Sequence, residues 1–322
     1  MKKFFKIVGI LVAVVVVFYG ARWWYYMQEY KQHLPKTAIT VDGVAREYYL
    51  FVPTSEADGP SALLVTLQGG GADAGWRFAS QYDWEAVAEQ ENMIIALPSG
   101  KQFGDNEGAW QLNTDAESMQ DIEFFEAMIA DVSSQYTVDE SRVYAVGYSL
   151  GSMFAYELAC QMSTRFAAIA SFAGTMPVNA KSCNPERNIP IMHVHGVDDP
   201  IIAYSNSWDW KSWDSVGTMR DIPSLVQYWA DKYNCQNYQD GGSATNTSSA
   251  FSSETVSIRH IVHSNCDQDS RVEHYRLDQG THEWPAELMG QPTYQVMWSF
   301  LSGYSLPEPE SQQPEEQPLD AT

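Results

Sequence analysis

Positive charge is scarce in this chain of 322 residues. It has 19 Lys and Arg residues against 41 Asp and Glu residues, and its formal net charge is −22. A field of that sign repels phosphate backbones, so the composition argues against nucleic acid and polyanionic substrates as partners.

Cysteine is also rare, with four residues: Cys160, Cys183, Cys235 and Cys266. They form no C-x-x-C pair, which argues against a zinc ribbon. An even number in an exported chain predicts two disulfide bonds. Three pairings are possible, and proximity in the sequence favours Cys160–Cys183 and Cys235–Cys266. Buried free thiols are the alternative.

The N-terminus carries the pattern of an export segment. Three lysines precede an uncharged apolar run, Ile7–Tyr19, which is followed by an aromatic cluster, Trp23–Tyr26. This order predicts a cytoplasmic N-terminus and a domain outside the cytosol. An uncleaved membrane anchor over residues 1–30 is favoured, although the run is short for a span of about 20 residues. A signal peptide cut after Ala21 would leave a secreted, periplasmic or extracellular protein, but it would place Tyr19 where a small residue is needed.

Residues 36–304 are expected to form one domain, and residues 305–322, rich in Pro and Glu, a disordered acidic tail. Alternating patterns predict strands over Ala38–Val41, Glu47–Val52, Ala62–Leu67, Met93–Leu97, Val143–Val146, Phe166–Phe172, Ile189–Val194 and His274–Leu277. They predict helices over Trp84–Glu91, Asp121–Gln135, Leu150–Met162, Ile222–Lys232 and Thr293–Leu301. This alternation predicts an α/β fold with a mostly parallel central sheet and helices on both faces. Gly241–Glu254, rich in Ser and Thr, is expected to be an exposed excursion.

The strongest motif is Gly147-Tyr148-Ser149-Leu150-Gly151, between a predicted strand and a predicted helix. This is the G-x-S-x-G nucleophile elbow in the context that it requires, which predicts the α/β-hydrolase fold. The turn is so sharp that side chains at the two glycine positions would collide with their neighbours. Ser149 is therefore the predicted nucleophile.

A serine hydroxyl needs a base, and in this fold the acid and the base follow the serine in that order. Asp199 lies just beyond a predicted strand end and precedes a proline, so it is the favoured acid; Asp198 is the alternative. His282, in the loop after the last predicted strand, is the favoured base. The other later histidines, His260, His263 and His274, are expected to be structural.

Acyl transfer also needs preorganised hydrogen-bond donors that stabilise the negative oxygen formed when the carbonyl is attacked. The backbone N–H of Leu150 is one expected donor. The second is expected from the glycine-rich loop after Ala62–Leu67, with Gly70 favoured and Gly69 next. His193 and His195 alternate on one predicted strand and could face the same side, but no third metal ligand stands out, so neither a metal nor a cofactor is expected.

These residues resemble a known family, the polyhydroxybutyrate depolymerase-like esterases, which include the feruloyl and acetylxylan esterases of carbohydrate esterase family one. The resemblance covers roughly residues 38–303. It rests on the segments LLVTLQGGG, DIEFFEAMIADVSSQYTVDESRVYAVGYSLGS, FAAIASFAG, HVHGVDDPI and GTHEWP. It implies catalytic roles for Ser149, Asp199 and His282, and cysteine pairs near the positions found here.

Two departures from the family pattern stand out. Gln68-Gly69 replaces the usual His-Gly, which bears on the loop of the expected oxyanion site, and Gly280-Thr281-His282 replaces Gly-Gly-His. Neither removes a predicted catalytic group.

The sequence thus predicts a monomeric serine ester hydrolase that needs no cofactor. The expected substrates are small-molecule or polysaccharide-linked esters, with feruloyl, acetyl or hydroxyalkanoate acyl groups. A serine peptidase of the same fold, a non-catalytic binding protein and a metal-dependent hydrolase are the alternatives.

Overall fold

The computed structural model describes residues 12, 14–25, 34–54, 59–70, 83–101, 110–113, 119–181, 183–209, 216–249 and 252–307. Its strands are β1 Lys36–Val41, β2 Val44–Phe51, β3 Ser61–Leu67, β4 Met93–Pro98, β5 Val138–Tyr148, β6 Ala168–Phe172, β7 Ile191–Gly196, β8 Trp208–Asp209, β9 Thr218–Met219, β10 Asn237–Ser249, β11 Ser252–Ser264, β12 Val272–Asp278, β13 Glu287–Leu288 and β14 Gln291–Pro292. Its helices in this part are α1 Trp84–Glu91, α2 Gln120–Gln135, α3 Leu150–Gln161, α4 Ile222–Lys232 and α5 Thr293–Leu301.

A ten-stranded sheet organises the domain, in the order β1-β2-β4-β3-β5-β6-β7-β12-β11-β10. The six central strands, from β4 to β12, run parallel to one another. Strands β1 and β2 at one edge and β11 and β10 at the other are antiparallel. The carboxyl ends of the parallel strands therefore meet at one rim, where sites of such sheets form.

Both faces of the sheet are covered, because the central strands alternate their side chains between two apolar layers. On β3, Leu63 and Val65 belong to the layer under α2, α3 and α4. Ala62 and Leu64 belong to the opposite layer, under α1 and α5. The predicted fold class is confirmed.

In the segment Gly241–Glu254, expected to be an exposed excursion, residues 241–245 are largely exposed, and the described residues belong to an antiparallel hairpin that the sequence pattern did not predict. Strands β10 and β11 pair along most of their length and extend the sheet at its edge. Residues 237–245 are largely exposed, so no apolar alternation marks β10. Strand β10 is held by its backbone pairing with β11, whereas β11 buries Val256, Ile258 and Val262, so the apolar pattern marks only one strand of the hairpin.

Two disulfide bonds join Cys160 to Cys183 and Cys235 to Cys266, the pairings that sequence proximity favours. The first anchors the end of α3 to the segment before β7, and the second links the end of α4 to the segment after β11.

Part of the predicted N-terminal anchor, including residues 1–11 and 26–33, lies outside the described residues, as does the tail from residue 308. Residues 14–25 are helical, and their apolar side chains are exposed. Among the helices that the structure describes, none is both long enough and apolar enough to span a bilayer.

Candidate active site

The turn between β5 and α3 holds Ser149 in an unusual backbone conformation, with φ 54° and ψ −120°. Few side chains adopt a positive φ, and such strain is common at functional sites. The strained turn is secured by its neighbour, because the Ser149 N–H donates to the Phe172 carbonyl at 2.9 Å. Ser149 thus lies at the rim where the parallel strands end.

Two glycines make this turn possible. A Cβ on Gly147 would lie 2.4 Å from the Gly151 carbonyl oxygen, and a Cβ on Gly151 would lie 2.2 Å from the Leu67 carbonyl oxygen. Both contacts are with backbone, which cannot move aside as a side chain would. The G-x-S-x-G spacing therefore follows from the close approach of strand, turn and helix.

The loop after β7 carries Asp199, whose side chain is fully buried. Its Oδ1 accepts hydrogen bonds from the N–H groups of Ile201 and Ile202, both at 2.8 Å. Burial alone would raise the pKa of the Asp199 carboxyl. The hydrogen bonds that it accepts from His195, His282 and the local backbone instead hold that pKa well below its usual range.

The loop after β12 carries His282 and packs against the loop that carries Asp199. A Cβ on Gly196 would lie 2.3 Å from the Gly280 carbonyl oxygen, so only glycine allows this approach. The Asp198 N–H also donates to that carbonyl, at 2.9 Å. These contacts place the two loops side by side.

Three side chains from separate loops meet in a line at this rim. The Nδ1 of His282 lies 2.7 Å from Asp199 Oδ2, and its Nε2 lies 2.9 Å from Ser149 Oγ. These are hydrogen-bond distances, and the imidazole is only 11% exposed. The arrangement lets a carboxylate orient an imidazole that accepts a proton from a hydroxyl.

Tyr148, which the sequence-based reasoning did not single out, supports the histidine loop. Its hydroxyl donates to the His282 carbonyl at 2.8 Å, and its ring centroid lies 5.2 Å from that of the His282 imidazole. Burial, followed by the charges of Asp199 and Glu283, raises the pKa of Tyr148 to about 12, so the phenol stays a donor at neutral pH. Its position directly before Ser149 was the available signal, because adjacent residues at a strand end reach the same rim.

The glycine-rich loop after β3 lies against the serine turn. A Cβ on Gly69 would lie 3.3 Å from Ser149 Cβ, and one on Gly70 would lie 3.5 Å from Leu150 Cδ2. The loop is held from below by buried Trp110, whose indole N–H donates to the Gln68 carbonyl at 3.0 Å. Leu150 begins α3, so its N–H belongs to the first turn, which has no acceptor within the helix.

The other carboxylate and histidines that the sequence offered do not contact Ser149 or His282 through their side chains in any described hydrogen bond. Asp198 is exposed. His260 is hydrogen-bonded to Glu273 at 2.7 Å, His263 packs against Tyr238, and His274 is buried beside Tyr204.

His193 and His195 do share one face of β7, with Nε2 of His193 3.2 Å from Nδ1 of His195. Within the described stretches of the chain, no cluster of three or more His, Cys, Asp or Glu side chains is arranged to hold a metal ion.

A parallel sheet with a strained serine turn, followed in chain order by an aspartate loop and a histidine loop, defines the α/β-hydrolase class of proteins, and the chain has this fold. Residues 58–212 match the family model described as phospholipase/carboxylesterase.

Known proteins similar to this chain include several esterases. It is 24% identical to a bifunctional acetylxylan esterase/xylanase of Neocallimastix patriciarum, over 84% of this chain and 35% of that protein. It is 30% identical to a probable feruloyl esterase C of Aspergillus niger, over 49% of this chain and 57% of that protein. An acetyl xylan esterase from Aspergillus awamori matches its fold with a TM-score of 0.57 at 14% identity, covering 83% of this chain and 99% of that one.

These matches confirm the predicted resemblance to acetylxylan and feruloyl esterases. The chain spans about a third to a half of the length of the first curated relatives that it matches. The polyhydroxybutyrate depolymerase part of the resemblance stays a prediction.

Proposed function

We propose that this protein is a carboxylic ester hydrolase with Ser149 as nucleophile, His282 as general base and Asp199 as the carboxylate that orients the imidazole. One observation carries the proposal: a continuous line of hydrogen bonds runs from Asp199 through His282 to the Ser149 hydroxyl. The family model and the esterase relatives support the same class of reaction.

The reaction proceeds in two acyl-transfer steps. His282 Nε2 takes the proton of Ser149 Oγ as the oxygen attacks the ester carbonyl. The resulting oxyanion accepts hydrogen bonds from the Leu150 N–H and from Gly70 or Gly69. The C–O bond to the alcohol then breaks, and His282 returns the proton to the departing oxygen. Water then attacks the acyl-enzyme as His282 Nε2 takes its proton. The C–O bond to Ser149 Oγ breaks, the imidazolium returns the proton to Oγ, and the acid leaves.

Acetyl and feruloyl esters, small or attached to polysaccharide, are the proposed substrates, because relatives named for both activities match this chain. Hydroxyalkanoate esters are a further candidate from the sequence resemblance. A panel of p-nitrophenyl acetate, longer p-nitrophenyl acyl esters, methyl ferulate and hydroxybutyrate oligomers ranks these classes by kcat/KM.

We propose that the domain acts outside the cytosol and that residues 1–30 serve as a membrane anchor or a signal peptide. The two disulfide bonds support this location, because such bonds persist in oxidising compartments. Cell fractionation of the full chain tests the proposal, and recovery of the active protein with the cytosol would contradict it.

The decisive experiment on the reaction compares the Ser149→Ala variant with a control variant, Ser134→Ala. The control removes an exposed hydroxyl on α2. Ser149→Ala should abolish ester turnover and labelling by a fluorophosphonate probe, whereas Ser134→Ala should retain both. Activity that survives Ser149→Ala, or that is lost with a chelator, would refute the serine mechanism. Faster cleavage of a peptide p-nitroanilide than of every ester would favour the peptidase alternative.

A further inference from the structure

A buried histidine network lies directly behind Asp199. His193 and His195 on β7 and His274 on β12 are each at most 2% exposed. Their rings are adjacent: the centroid of His193 lies 5.3 Å from that of His195 and 5.5 Å from that of His274. The proposed ester hydrolysis uses none of these three side chains directly.

Hydrogen-bond chemistry assigns the protons of this network. Burial, then the charges of His195 and His274, lowers the pKa of His193 well below its usual value, so its ring is neutral and carries one proton. The hydroxyls of Tyr156 and Ser171 lie 2.7 and 3.0 Å from His193 Nδ1, and a hydroxyl can donate to this nitrogen or accept from it. The position of the single proton of His193 is therefore set at its other nitrogen, Nε2, which lies 3.2 Å from Nδ1 of His195.

The direction of the network is set at the end nearest Asp199, where the partner is a backbone carbonyl. Nε2 of His195 lies 2.9 Å from the Ile202 carbonyl oxygen, which can only accept. Nε2 must therefore carry a proton. In the neutral ring Nδ1 then carries none, so it accepts from His193 Nε2–H, and His193 Nδ1 accepts from its two hydroxyl partners. The same Nε2 lies 3.4 Å from Asp199 Oδ2, the oxygen that also accepts from His282.

His195 thus contacts the Asp199 loop at two points. It donates to the Ile202 carbonyl, while the Ile202 N–H donates back to Asp199 Oδ1 at 2.8 Å. Its Nε2–H also faces Asp199 Oδ2. The buried carboxylate is thus held by three hydrogen bonds, from the N–H groups of Ile201 and Ile202 and from His282, and by the close approach of His195 Nε2 to Oδ2. Together these contacts fix the orientation that presents Oδ2 to His282.

We propose that His195 is a positioning residue for the reaction: a directional hydrogen-bond chain, Tyr156 to His193 to His195, ends on the Asp199 loop and fixes the carboxylate that orients His282. This inference rests on the proposed function, because it assigns a role relative to the proposed catalytic aspartate.

His274 provides a matched control within the same network. It is as buried as His195, and burial lowers its pKa to about 3. Its Nδ1 donates to the His193 carbonyl at 3.2 Å, and its Nε2 accepts from the Tyr204 hydroxyl at 3.0 Å. Neither bond leads to Asp199, so replacing His274 should disturb packing without releasing the carboxylate.

The test compares His195→Leu and His195→Gln with His274→Leu and His274→Gln, below the Tm of every variant. His195→Leu should lower kcat about 10- to 100-fold with KM within about twofold, as when one hydrogen bond to a charged group is lost. His195→Gln should recover part of kcat, since its amide N–H reaches toward the position of Nε2. The His274 variants should lower Tm but keep kcat within about threefold. Equal kcat losses at the two positions would overturn the proposal.

A second measurement needs no variant of the network. Long-range ¹H–¹⁵N NMR correlations of the histidine rings should show His195 protonated on Nε2 and not on Nδ1, and a proton on Nδ1 would overturn the direction of the chain. Ser149→Ala separates the two levels of the argument. If it retains activity, the proposed function fails; if it is inactive while His195 behaves like His274, only the positioning role fails.

Discussion

At the scale of single residues, the site depends on which of two consecutive carboxylates faces the imidazole. Asp199 is buried and accepts from His282, whereas Asp198 is exposed and contributes its backbone N–H to the Gly280 carbonyl. Both side chains carry the same chemistry, so position alone separates their roles.

Asp199→Asn and Asp198→Asn test that separation. The first change replaces an acceptor-only carboxylate with an amide and should favour the wrong His282 tautomer, which costs about 10³- to 10⁴-fold in kcat in a serine triad. The second should leave kcat within about threefold. The measurement is kcat for p-nitrophenyl acetate, and a larger loss for Asp198→Asn would reverse the assignment.

Tyr148→Phe tests the support of the histidine loop. The change removes the hydroxyl that donates to the His282 carbonyl but keeps the ring against the imidazole. Losing one neutral hydrogen bond of about 0.5–1.5 kcal/mol should lower kcat by roughly 2- to 10-fold. Tyr144→Phe is the matched control, because that hydroxyl donates to the Tyr304 carbonyl, away from the serine. A kcat unchanged in Tyr148→Phe would contradict the supporting role.

At the scale of elements, helix α3 carries a buried carboxyl far from the reaction. Glu157 accepts from the Asn113 N–H at 2.7 Å and from the Gln161 amide at 3.0 Å. Burial nevertheless raises its pKa from 4.5 to about 6, since these two bonds compensate only part of the lost hydration. The helix that follows Ser149 therefore contains a titrating group.

Glu157→Gln should change how the stability of the protein depends on pH. The pKa of Glu157 is raised by folding, so its contribution is fully present below pH 4.5 and is lost as pH rises through about 6. A shift of that size corresponds to about 2 kcal/mol. The free energy of unfolding of Glu157→Gln minus that of the wild type should therefore be about 2 kcal/mol larger at pH 8 than at pH 4, because the wild type loses stability over this range and the amide does not titrate. Glu287→Gln, at an exposed position, is the matched control. An equal trend in both variants would contradict the prediction.

The disulfide at the other end of α3 gives a test on stability alone. Cys160→Ala with Cys183→Ala removes a bond between residues that are 23 apart in sequence. Opening a loop of that size should lower the free energy of unfolding by about 3 kcal/mol. Denaturant titration measures the loss, and kcat at 25 °C should stay within about threefold because the serine turn lies at the opposite end of the helix. A loss of kcat without a loss of stability would contradict the prediction that this disulfide bond supports stability and not the reaction.

At the scale of the whole molecule, the triad and both apolar layers lie between Leu34 and Pro307. Leu34 is itself only 3% exposed, and the Pro35 carbonyl accepts from the Leu50 N–H at 3.1 Å. We therefore expect residues 34–307 to fold as a monomer and to keep kcat/KM for p-nitrophenyl acetate within about twofold of the full chain. Light scattering and steady-state kinetics check both parts, and an inactive or dimeric truncated protein would contradict the proposed domain division.

Local sequence patterns were sufficient to predict the serine turn, several helices and the position of the histidine loop. The elbow could be recognised because its glycines, its strand and its helix are adjacent in the chain, and the turn geometry depends on those residues alone. The helices α1, α4 and α5 have the bounds that their apolar spacing predicts. The histidine loop could be placed because it follows the last strand of a parallel sheet.

Other features were decided by contacts between residues far apart in sequence. Strand β10 joins the sheet through backbone pairing with β11, which leaves no apolar signature in its largely exposed residues 237–245. Whether Asp198 or Asp199 faces His282 depends on how two loops dock, and that docking is set by Gly196 against Gly280. The role proposed for His195 depends on its burial against His193 and the Asp199 loop, because packing alone aims the ring of a strand histidine at one acceptor. The sequence thus determined the candidate reacting groups, and the fold determined their orientation, because a hydrogen bond requires a distance and an angle that only packed elements provide.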